Sequence, residues 1–216
     1  MFQNIKTQKD VILSWSKNLL QECFSENTRN IITVQRNTNF HYLLLAENSQ
    51  SDIVFEIQGE NVVWNIYAIY FGYNSLKSNI LVNILSSNSK INVFMLSLLT
   101  TDKAFDTDWN VFLWKNISNS QWHLLQKSLI LWENIQVKSV PRLDVYSNDI
   151  QASHWFSVDR LNTEKLFYLN SKWLTESVSK DMIIRGNVEA ILDKFVHLSD
   201  FHKNQIIQRV LKLEIL

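Results

Sequence analysis

The chain has 216 residues, is 46% hydrophobic, and balances 21 basic against 21 acidic side chains. That much apolar material builds a sizeable core and excludes a disordered polypeptide. The balanced charge excludes a strongly basic surface of the kind that holds nucleic-acid phosphates, although not a local patch.

A single cysteine, Cys23, rules out an internal disulfide. It falls on the apolar stripe of a predicted helix, where an inert buried thiol is expected rather than a nucleophile. The opening MFQNIKTQKDVILSW has no apolar signal core and no small-residue cleavage site. No apolar run reaches membrane-spanning length. These features predict a soluble, cytoplasmic protein without membrane association. With 3 glycines and 1 proline, the chain has little material for tight catalytic loops, and no phosphate-cradling glycine motif occurs. The abundance of Asn, Ile, Lys and Ser resembles the codon bias of an AT-rich bacterial genome.

In chain order, Thr7-x-x-Asp10 reads as a capping box. Ile12, Trp15, Leu19, Leu20, Cys23 and Phe24 then recur at helical spacing, which predicts a helix over 8–25. Strands are expected over 31–36 and 40–47. The stretch DIVFEIQGENVVWNIYAIYF, residues 52–71, reads as a hairpin around Gly59-Glu60, since glycine suits the first position of a type II′ turn. That register pairs Ile57 with Val62, Phe55 with Trp64 and Ile53 with Ile66 on one apolar face. The opposite face carries mostly polar residues. One apolar and one polar face point to an antiparallel sheet.

Further along, Leu76, Ile80, Leu81, Ile84 and Leu85 predict a helix over 75–87. Strands are expected over 90–99 and 109–115. Ser118-x-x-Gln121 resembles a capping box that opens a helix over 119–136, with Trp122, Leu125, Leu129 and Trp132 as its main stripe. A short strand over 143–146 precedes helices over 163–178, 187–197 and 199–214, the last capped by Ser199. No internal repeat, low-complexity tract or flexible linker is evident. Pro141, in the polar break 136–142, marks a boundary between an α+β sheet domain over 1–136 and a mainly helical part over 142–216, unless both belong to one domain.

The fold class expected is therefore α+β: an antiparallel sheet of about six strands packed with helices, followed by a mainly helical C-terminal part.

Chemistry-bearing patterns are sparse. Asp102, Asp106 and Asp108 form an acidic stretch that could converge on a hard cation, but no calcium-loop glycine or distal glutamate accompanies them. Asp52 and Glu56 suggest a hairpin nuclease, yet no lysine follows on the strand. The histidines, His41, His123, His154, His197 and His202, do not pair at helical spacing. His197 and His202 flank a turn, where they could approach each other. The 8 tryptophans stand out. Trp109, Trp114, Trp122 and Trp132 are candidate interaction anchors, because tryptophan is enriched at interface hot spots, with core filling as the competing reading. The segment 181–216 has the outline of a helix-turn-helix, but its charges cancel.

No catalytic, cofactor-binding or metal site is assigned. The functional expectation is a non-enzymatic accessory or adaptor subunit of an intracellular bacterial complex, with a protein partner or a second copy. Two alternatives stand beside it. One is a nucleic-acid-binding module using exposed aromatics and the C-terminal helices. The other is a metal-dependent hydrolase or nuclease built on Asp102, Asp106 and Asp108.

Overall fold

A computed structural model describes residues 2–5, 10–13, 18–24, 28–34, 39–72, 75–100, 104–131, 135–161, 163–195 and 198–212, with side chains from residue 31 onward except that of Thr163. The chain alternates strand by strand between two sheets. One sheet takes β1 (Phe2–Ile5), β3 (Asn18–Phe24), β5 (Asn39–Glu47), β7 (Val63–Gly72), β9 (Lys90–Leu99), β11 (Ser120–Ile130) and β13 (Ile150–Arg160). The other takes β2 (Asp10–Leu13), β4 (Thr28–Val34), β6 (Gln50–Ile57), β8 (Leu76–Ile84), β10 (Phe105–Leu113) and β12 (Val137–Val145). Every pairing within both sheets is parallel, for example β5 with β7 and β6 with β8. The result is a parallel β-solenoid, each turn contributing one strand to each sheet.

The inward positions stack in columns along the solenoid. Phe40, Trp64, Ile91 and Trp122 lie in register on one sheet, and Ile53, Ile80 and Trp109 on the other. These side chains are essentially inaccessible to solvent. Each large apolar group buried this way contributes on the order of 1.5–3 kcal/mol. The core also holds hydroxyls and an amide, and these pair with one another. Tyr70 bonds Ser51 and Ser78 at 2.7 Å each, and Ser97 donates to Ser128 at 2.7 Å. Gln126 donates to Thr107 at 3.1 Å and accepts from Ser139 at 2.9 Å. Buried polar groups are tolerated when they are bonded in this manner.

One corner of the solenoid is built from asparagines. Asn61, Asn88 and Asn119 take left-handed φ values of 55°, 59° and 50°, a region this side chain tolerates better than most. They stand two residues ahead of the register-matched Val63, Lys90 and Gln121. Asp149 holds the same place in the next turn, where its carboxylate accepts the backbone N–H of Asn119 at 2.9 Å.

Among the described residues, three helices follow the solenoid: α1 (Thr163–Asn170), α2 (Glu176–Leu192) and α3 (Asp200–Leu211). Thr175 caps α2 and Ser199 caps α3, each side-chain oxygen accepting a backbone N–H of the first turn at 3.4 Å. A second core lies under the helices. Ile184, Val188, Leu192, Ile206, Ile207 and Val210 pack on Leu43, Leu45, Ile69, Phe71, Leu96 and Leu98 from the outer face of the β1–β13 sheet. Tyr67 ties the two layers by donating to the Lys194 carbonyl at 2.8 Å, and Arg209 pairs with Glu47 at 2.6 Å.

The expected antiparallel α+β architecture is overturned. The stretch 52–71 is no hairpin: β6 and β7 belong to different sheets, and Asn61 supplies the left-handed residue of their connection. One polar face did not mean antiparallel pairing, because the described helices cover only the β1–β13 sheet and the outward residues of β6, in the other parallel sheet, meet water. The helix expected over 75–87 is β8, and the one over 119–136 contains β11. The described parts of 8–25 are β2 and β3. In β11 both faces meet an apolar layer, Trp122 and Leu124 inside the solenoid and Leu129 beneath the helices. That double burial mimics a helical stripe. The expected absence of a repeat is corrected as well, since every turn of a solenoid is one.

Candidate assembly face

The solenoid ends at β12 and β13, each hydrogen-bonded to a neighbour on one side only, β10 and β11 respectively. Earlier turns bury their inward side chains against the next turn. Among the described residues no further strand gives the last turn such cover. On β13 the inward positions, in register with Leu124, Gln126 and Ser128, are His154, Phe156 and Val158. On β12 those in register with Thr107, Trp109, Val111 and Leu113 are Ser139, Pro141, Leu143 and Val145. His154 is exposed, Val158 is 48% exposed and Val145 43% exposed, whereas their counterparts one turn earlier are buried. Terminal turns of repeat proteins are ordinarily closed by a polar cap, so an apolar open end is a candidate joining surface.

The two edges differ. Pro141 interrupts the donor row of β12, which suits an edge strand that does not pair further. β13 runs 11 residues without a proline, its outer backbone row open to strand addition. On its outer face Trp155 is 67% exposed and neighbours Leu125 in register. Beside them, Asp159 accepts both a 2.6 Å and a 2.8 Å bond from Lys165 of α1 and lies 3.7 Å from Lys127. The Lys165 bond, opposed by partial burial, holds the Asp159 carboxyl below its ordinary range. This fixes the start of α1 at the end of the last strand.

Trp109 and Trp122 lie inside the solenoid, each 1% exposed, while Trp114 is 46% exposed and packs its ring 6.4 Å from that of Tyr146 at a corner of the last turns. Trp132 lies outside the described residues. So do Asp102 and His197. Asp106 and Asp108 point outward from β10, and Asp108 accepts from Asn110 at 3.1 Å. Asp52 accepts from Asn79 at 2.6 Å, and Asn79 stands in register between Asp52 and Asp108. Glu56 accepts from Gln58 at 3.2 Å. His202 bonds Ser199 at the α3 cap, and His123 bonds Ser153 at 2.8 Å. Among the described residues no three His, Cys, Asp or Glu side chains gather as metal ligands. Among them, too, no helix is long and apolar enough to cross a membrane.

Sequence reading passed over Trp155 and Val158, because residues 150–160 sit in no expected element. The signal present was Asp149, in the corner place of Asn61, Asn88 and Asn119.

A two-sheet parallel solenoid with an open last turn and a helical C-terminal layer is the class of architecture defined by these features. Within it, the chain belongs to the family described as "SUF system FeS cluster assembly, SufBD core domain", whose profile matches residues 33–187. The chain is 26% identical over 139 residues to an iron–sulfur cluster assembly SufBD family protein of Mycobacterium tuberculosis H37Rv, covering 60% of this chain and 35% of that one. It is 30% identical over 61 residues to the iron–sulfur cluster assembly protein SufD of Escherichia coli K12, covering 28% of this chain and 14% of that protein. A SufBD family protein of Methanothermobacter thermautotrophicus Delta H is 33% identical over 64 residues, 30% of this chain and 16% of that one. The chain thus spans about a third of the length of the mycobacterial relative.

Proposed function

We propose that this chain is a non-catalytic accessory subunit of an iron–sulfur cluster assembly complex, joined to a protein partner through its last solenoid turn. Family membership supports the process. The observation that supports the joining role is the open end, where Val145, Phe156 and Val158 stand at inward positions and no further strand among the described residues covers them.

A partner that adds a strand to β13 would satisfy its open backbone row and cover Trp155 and Val158 together. Fe–S clusters are held by about four cysteine thiolates, and these residues hold only Cys23. A cluster passing through the complex as cargo would therefore take most of its ligands from other chains. His154, exposed on the end face, offers an imidazole there, a ligand type that iron accepts.

The test is co-expression with another SufBD-family chain of the same host, followed by light scattering on the purified product. The expected product is a stoichiometric complex that Val158→Asp and Trp155→Asp abolish while leaving the unfolding midpoint close to wild type. A second copy bound through the same residues would also fit the reading. A monomer in every mixture, or a complex indifferent to both substitutions, would refute it.

A further inference from the structure

We draw no further inference here: the strongest candidate, the exposed aromatic cluster of Phe167, Tyr168 and Trp173 beside the open cavity between α1 and α2, carries nothing because nothing in the structure shows what covers it.

Discussion

Asn119 donates its side-chain amide to the side-chain oxygen of Asn88 at 2.9 Å, one solenoid turn away, with both residues left-handed. Each asparagine therefore does two things: it accepts an unusual backbone conformation and links its turn to the next. Asn119→Ala loses both and is expected to destabilise by about 2 kcal/mol. Asn119→Gly loses only the side-chain bond, so its cost should stay near 1 kcal/mol or below. Urea unfolding of the two variants separates the contributions. Equal losses would show that backbone conformation is not a factor at this corner.

Gly72 ends β7 at φ 140°, and a Cβ placed there would stand 2.8 Å from the backbone nitrogen of Asn48. Gly72→Ala should cost about 1–3 kcal/mol, from backbone strain and from displacing the neighbouring turn. Adding Asn48→Gly removes a side-chain clash but leaves the backbone contact and the φ. Thermal unfolding should show partial recovery in the double variant, and complete recovery would contradict the backbone account.

Tyr67 is 3% exposed, and burial pushes its hydroxyl from 10.0 up to about 12. The native state then holds this proton more tightly than the unfolded chain does. Its contribution to stability is complete below about pH 10 and is lost as pH rises through the native value near 12. Tyr67→Phe removes the bond to the Lys194 carbonyl, at a cost of about 1 kcal/mol at neutral pH. It also removes this source of alkaline loss. Unfolding measured from pH 8 upward should show the gap between the two proteins narrowing above pH 10. A constant gap would mean that Tyr67 does not titrate with unfolding.

Trp173 follows α1 at φ 66° and is 97% exposed, so little packing repays its left-handed backbone. Trp173→Gly should stabilise by about 1 kcal/mol, because glycine suits a helix C-terminus in this conformation. Trp173→Ala keeps the backbone penalty and should not raise the melting temperature. A stabilising alanine would place the cost in the exposed ring instead.

The C-terminal helices were legible because their determinants are local. Ser199 caps α3, and Ile206, Ile207 and Val210 face the core at helical spacing as expected. The helix expected over 163–178 is two elements, α1 and the start of α2, divided at Trp173, a residue whose type does not announce a left-handed turn. The strands over 31–36, 40–47 and 90–99 correspond to β4, β5 and β9, since apolar alternation shows which residues share a face. The partner of each strand was not legible. Bonded rungs stand 27 residues apart at Asn65–Asn92, 31 at Asn88–Asn119 and 30 at Asn119–Asp149, so no fixed period marks the repeat. The joining face was hidden for the same reason. Trp155 and Val158 read like residues of any strand until β13 is known to be the last.

By itself the sequence determined a large apolar core, two-residue alternation in several strands, and capped helices at the C-terminal end. Each of these depends on neighbours within one strand or one helical turn. Only the tertiary structure decided that the strands run parallel in two sheets and that one turn stays open. Those properties depend on which distant strand each backbone row meets: Ile57 ends β6 and Val63, only six residues on, begins β7 in the other sheet.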